Sequence, residues 1–83
     1  MNTAARIRTK VEELARAMGN DPRRLTDDEI LPQSGLLDSA SILELILWVE
    51  SEFDLEIDQE DLSLDNFGTI RRMDEYISAR TRA

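Results

Sequence analysis

The sequence predicts an all-α fold, an antiparallel bundle of three longer helices and one short one. Three observations predict it. Apolar residues recur at helical spacing over residues 3–18, 38–53 and 69–77. Capping residues mark where these stretches start or stop, and no period-two alternation runs long enough for a strand. Eighty-three residues make one small domain, residues 1–83, with a modest core and no room for a deep enclosed active site.

From Thr3 to Met18, Ile7, Val11, Leu14, Ala15 and Met18 form one stripe of an amphipathic helix, with Arg6, Lys10, Glu13 and Arg16 outside it. Gly19-Asn20 stops it and Pro22 prevents its resumption. Residues 20–38 read as a long loop, pinned by Leu25, Ile30, Leu31, Leu36 and Leu37. The second helix begins at Asp38 or Ser39 and runs to about Phe53. Its core face carries Ile42, Leu45, Ile46, Val49 and Phe53, with Trp48 covering an edge. DLEID is a connection, Asp58 caps a short helical turn over Gln59 to Leu62, and Phe67-Gly68 close that region. Thr69 caps the last helix, whose Ile70, Met73 and Ile77 face inward.

Composition excludes several function classes. The chain has no cysteine and no histidine, so disulfides, thiolate chemistry, the usual zinc sites and His-based triads are out. MNTAARIRTK lacks the apolar region of a secretory signal, and the longest apolar run, Leu45 to Val49, is too short to span a membrane. The expected location is the cytoplasm. Charge is segregated along the chain. Residues 1–24 hold six basic and three acidic side chains, residues 25–68 thirteen acidic and none basic, and residues 69–83 four basic and two acidic. Such a middle repels nucleic acid and attracts a basic protein surface, or else it only keeps the protein soluble.

Asp54, Glu56 and Asp58 alternate as a calcium loop begins, but the sixth position is Gln59 where the turn needs glycine, and the twelfth is Asp65. No metal site is expected. The acidic pairs stand without a phosphate loop or a nearby cation to polarise a substrate, so no catalytic residues are assigned. Asp38-Ser39 remains. Asp38 suits a helix cap, which makes Ser39 either a tolerated first-turn residue or a place of attachment. Ser39, Leu43 and Leu47 lie along one flank of the helix, bordered by Ala40, Glu44 and Glu50.

Gly35-Leu36-Leu37-Asp38-Ser39, then Ile42-Leu43-Glu44-Leu45-Ile46-Leu47 and Glu50-Ser51-Glu52-Phe53-Asp54, resembles the acyl carrier proteins over essentially the whole chain. Ala40 departs from the leucine common in fatty-acid carriers, and Gly35-Leu36-Leu37 is a reduced form of the glycine-rich run of peptidyl carriers. The look is closer to D-alanyl and stand-alone aminoacyl carriers. The resemblance implies an acyl-carrier-like four-helix bundle in which Ser39 receives 4′-phosphopantetheine from coenzyme A, beside the motif residue Asp38. A helix N-terminus stabilises the added phosphodiester, and Asp38 can hold a metal ion or orient the hydroxyl within the modifying enzyme.

The implied partners are a phosphopantetheinyl transferase, an acyl- or amino-acid-activating ligase and a downstream acyltransferase. They would meet Ala40, Leu43, Glu44, Leu47 and Glu50 on a monomeric protein that is not itself an enzyme, binds no nucleic acid and does not insert into membranes. The arm's thiol then accounts for the missing cysteine. Large core-facing side chains on the second helix leave little volume for a hydrocarbon tail, so the expected cargo is an amino acid activated as an adenylate. The alternative is a small acidic interaction module in which Ser39 is only a cap; a carboxylate enzyme ranks below both.

Overall fold

The computed structural model describes residues 2–23 and 25–81. Among these, α1 (Thr3–Ala17), α3 (Ser39–Glu52) and α5 (Ile70–Thr81) are the longer helices. One-turn helices α2 (Leu31–Ser34) and α4 (Leu64–Phe67), with a 3₁₀ turn at Gln59–Asp61, fill the connections. The first two long helices match the sequence reading to within a residue or two, and α5 runs on to Thr81, past Ile77, the last position the sequence reading named. The expected short turn over Gln59 to Leu62 is the 3₁₀ turn, and α2 and α4 add two one-turn helices that the sequence reading left as connection.

The Asn2 side chain caps α1 by accepting from the Ala5 N–H at 2.8 Å, and Ile7, Val11, Leu14 and Ala15 are buried along one stripe. Gly19, at φ 82°, ends the helix in a left-handed turn in which its own N–H bonds the Arg16 carbonyl and that of Asn20 bonds Ala15. Met18 was expected in the stripe but is 38% exposed, because it is the capping residue past the last full turn. Arg6 pairs with Glu52 near one end of α1 and α3, while Ser41 meets Met18 near the other. These two helices are therefore antiparallel.

Leu25, Leu31 and Leu37 pin the long loop to the core as expected, and Leu36 is half-buried, whereas Ile30 is 39% exposed. The loop is not featureless. Pro32 sits in the first turn of α2, a position where its missing N–H costs nothing, and the Leu31 N–H is fastened to the Gly68 carbonyl at 2.9 Å. Along α3, Leu45 and Val49 are fully inside. Ile42, Ile46 and Phe53 are only half-buried, and Trp48 meets Phe53 edge-on at 5.8 Å. After α3 the chain turns through Asp54 in the left-handed region. Asp58 makes no side-chain cap on the following 3₁₀ turn, contrary to the sequence expectation. The Thr69 hydroxyl does cap α5, accepting from the Arg72 N–H at 3.0 Å, and Ile70, Met73 and Ile77 are fully buried.

Asp61 is the fastener of the 3₁₀ turn. Its carboxylate accepts from the Tyr76 hydroxyl and from Arg80, each at 2.8 Å, and its carbonyl accepts from Asn66. Burial first, then the hydrogen bond to Asp61, pushes the Tyr76 phenol up from 10.0 to about 12, against an opposing pull from Arg80. Folding thus favours the neutral phenol. Its contribution is complete below pH 10 and is lost as pH rises from 10.0 toward about 12. Tyr76 is the chain's one tyrosine, so phenolate absorbance reads it alone. The folded protein should titrate near 12 and the urea-unfolded chain near 10. Identical midpoints would remove the Asp61–Tyr76 clasp from the account. Among the described residues no helix is long and apolar enough to cross a membrane.

Candidate functional site

The start of α3 is built by its neighbours in sequence. Gly35, at φ 78°, ends α2 in a left-handed conformation that an L side chain would strain, and the chain leaves directly toward α3. Leu37 is 2% exposed and anchors this segment in the core, while Asp38 and Ser39 stand in solvent. The Asp38 side chain accepts from the Ser41 N–H at 2.8 Å, and its carbonyl accepts from the Ile42 N–H. First-turn hydrogen bonds, that from the Ser41 amide foremost, hold the Asp38 carboxyl below the ordinary carboxylate range. Asp38 is thus the ionised cap that the sequence predicts.

Ser39 is the first residue of α3 and is exposed, and among the described residues its hydroxyl has no hydrogen-bond partner. The Ser39 N–H likewise finds no acceptor among those residues, as a helix's first turn leaves it, while the Ala40 N–H leans only weakly on the Asp38 carboxylate. The nearby hydroxyls are engaged. Ser41 is half-buried and donates to Met18 Sδ at 3.1 Å, and Ser34 donates to the Leu31 carbonyl at 2.8 Å. An exposed hydroxyl next to the free Ser39 amide hydrogen at a helix N-terminus fits a phosphodiester-linked group.

The flank leading from Ser39 is open as expected. Ala40 and Glu44 are exposed, and Leu43 and Leu47 are 55% and 57% exposed. Glu50 differs. It is half-buried, and its carboxylate accepts from the Ile57 N–H at 3.0 Å, which fastens the DLEID connection onto α3. Asp54, Glu56 and Asp58 spread along that connection, and among the described residues no group of three carboxylates is placed to hold a metal ion.

On the other flank, Pro32, Ile42, Ile46, Leu62, Leu64 and Phe67 line a mostly apolar surface groove of about 250 Å³. The expectation of little spare volume holds at Leu45 and Val49 but is corrected at Ile42 and Ile46. The 3₁₀ turn and α4 stand off from α3 there instead of closing over it.

One residue of the site escaped sequence reading. Asn20, legible only as part of a helix stop, donates its side-chain NH₂ to the carbonyls of Gly35 and Leu36 at 3.1 and 2.9 Å. Those partners are fifteen and sixteen residues away, a distance at which no spacing rule operates.

Comparison with known proteins gives the family. Residues 6–77 match the protein family described as "Phosphopantetheine attachment site". The chain is also 30% identical over 80 residues to Aminoacyl carrier protein 2 of Bradyrhizobium diazoefficiens, covering 92% of this chain and 88% of that protein. The match begins in the first turn of α1 and ends in the last turns of α5, so it takes in the whole helical frame and not the Asp-Ser motif alone. The chain belongs to this phosphopantetheine-attachment family, and it is a carrier protein bearing that prosthetic group.

Proposed function

We propose that Ser39 Oγ is the point of attachment and that the protein is an aminoacyl carrier, not an enzyme. The observation that carries the attachment is the exposed, unengaged hydroxyl at the first position of α3, beside hydroxyls that are engaged. Ser39 Oγ attacks the phosphorus that bears pantetheine in coenzyme A. A new O–P bond forms, the bond to adenosine 3′,5′-bisphosphate breaks, and the hydroxyl proton passes to a base of the transferase. Asp38 stays ionised on the Ser41 N–H and holds the first turn in place. The free Ser39 N–H and the positive end of α3 favour the added negative charge by about 0.3–1 kcal/mol. Once attached, the group supplies a thiol that holds the cargo as a thioester.

An aminoacyl cargo is supported by the relative's name and by the groove being open on one side, which gives a hydrocarbon tail only partial cover. The groove also favours a second reading, an acyl chain lying against Ile42 and Ile46. Residues 1–83 act as one carrier domain, a cytoplasmic monomer that meets a transferase, an activating ligase and an acyltransferase in turn. Apo-protein mixed with coenzyme A and a transferase should gain the mass of one phosphopantetheine on the peptide containing Ser39. A gain on any other peptide overturns the assignment. Loading the holo-protein with an aminoacyl and with a medium-length fatty acyl group then separates the cargoes. Large amide shifts at Ile46 and Val49 with the fatty chain alone would favour the second reading.

Partner enzymes would dock on Ala40, Leu43 and Leu47, guided by Glu44 and by the part of Glu50 that still faces solvent. Glu44→Lys should slow modification about three- to tenfold at low salt and flatten its salt dependence. The comparison runs between about 0.01 and 1 M ionic strength, where the screening length falls from roughly 30 to 3 Å. Wild-type rate and wild-type slope in the variant would leave the acidic face with a solubility role only.

A further inference from the structure

Residues 35–38 join α2 to α3 and present Ser39, yet the hydrogen bonds of their own backbone are almost all local. The Leu36 N–H bonds Ser34, and Asp38 bonds Ser41 and Ile42. Among the described residues, the two bonds from the Asn20 side chain are the only ones tying this segment to a distant part of the chain. Asn20 is itself tied to the end of α1, because its backbone N–H closes the left-handed stop of that helix on the Ala15 carbonyl at 2.9 Å. The C-terminal end of α1 is thus a fixed post, and the Asn20 carboxamide is the clamp that joins it to the approach to Ser39.

The chemistry of the clamp is specific. Both partners are carbonyl oxygens, so the carboxamide must turn its NH₂ toward them, and each of its two hydrogens serves one. Alanine would remove both bonds and leave the segment held by the buried Leu37. Aspartate, nearly identical in shape, would place carboxylate oxygens against two carbonyls and turn two attractions into two repulsions.

We propose that Asn20 is a positioning residue for phosphopantetheine transfer, holding the segment before Ser39 so that Oγ is presented at one fixed height above the α3 N-terminus. This rests on the reading of Ser39 as the attachment residue. Transfer from coenzyme A needs the hydroxyl in line with the phosphorus, and displacement by about 1 Å is enough to cost orders of magnitude in rate. Docking is separate, because Leu43, Glu44 and Leu47 lie outside the clamp.

The test measures transferase kinetics with apo-protein as the varied substrate, coenzyme A in excess, and wild-type, Asn20→Ala, Asn20→Asp, Asn2→Ala and Ser39→Ala proteins. Asn2→Ala removes a side-chain bond to the backbone at the opposite end of α1, so it lowers stability without touching the segment. The expected result is a fall in kcat of about tenfold for Asn20→Ala and up to about a hundredfold for Asn20→Asp. KM should stay within about twofold and Asn2→Ala should match wild type. All rates are taken where urea titration shows each variant fully folded, so that a merely structural role would leave kcat unmoved. If both Asn20 variants react at the wild-type rate while Ser39→Ala stays unmodified, the clamp is overturned and the Ser39 reading stands. If Ser39→Ala still gains the group, the Ser39 reading fails and the clamp falls with it.

Discussion

Ser39→Ala is expected to lose phosphopantetheine transfer completely and to keep its fold. The first half follows from the proposal that the Ser39 hydroxyl is the nucleophile, since the neighbouring hydroxyls are engaged: Ser41 is half-buried and bonded to Met18, and Ser34 is bonded within α2. The second half follows because Ser39 makes no side-chain bond among the described residues, while the cap belongs to Asp38 and remains. Alanine at an exposed first-turn position changes stability by no more than about 0.5 kcal/mol. Intact mass after incubation with coenzyme A and a transferase reads the first half, and urea unfolding reads the second. Ser41→Ala in parallel should be modified at the wild-type rate. A Ser39→Ala protein that still gains the mass, matched by a Ser41→Ala protein that does not, would move the site by half a turn of helix.

Leu37→Ala should be the costliest change near the site. Leu37 is 2% exposed and is the one fully buried side chain between α2 and the first turn of α3. Truncating a buried leucine removes its transfer energy and leaves a cavity, which together cost about 2–5 kcal/mol. Small domains hold only about 5–15 kcal/mol in total, so this is a large share. Leu36→Ala beside it should cost less, since Leu36 is half-buried. The urea midpoints of the two variants check the order. Leu37→Ala losing under about 1 kcal/mol, or Leu36→Ala losing more than Leu37→Ala, would mean that Leu37 is not the anchor of this segment. Transfer should slow in Leu37→Ala even at temperatures where it stays folded, because Asp38 and Ser39 are carried on the residue that was loosened.

Both predictions start from residues legible in the sequence, and the reason is locality. Asp38 caps α3 and Thr69 caps α5 through bonds to the residue three positions on, and Gly19 stops α1 through bonds closed within five. Such contacts depend only on residue type and spacing, as do the buried stripes of Ile7, Val11 and Leu14 and of Ile70, Met73 and Ile77. Ser39 and the exposed line through Leu43 and Leu47 were legible for the same reason: a helix fixes the direction of every side chain relative to its neighbours.

Apart from the exposed Met18 and the missing Asp58 cap, the sequence reading fell short where a partner beyond the local turn had intervened. The turn at Leu31–Ser34 is too short for any periodic signal and is held by the Gly68 carbonyl. Glu50 looked like one more acid on an acidic face until the chain folded back and brought it the Ile57 N–H. Ile42 and Ile46 lie on the core face of α3 but stay half-exposed, because Asp61, bound to Tyr76 and Arg80, fastens the 3₁₀ turn to α5. The sequence by itself determined the three long helices, the caps at Asp38 and Thr69, the inward stripes and the serine at the head of α3, since bonds within a turn or two settle all of these. Only the tertiary structure decided the groove, the work of Glu50 and the hold of Asn20 on Gly35 and Leu36. Each of those needs two stretches of chain to meet that share no spacing.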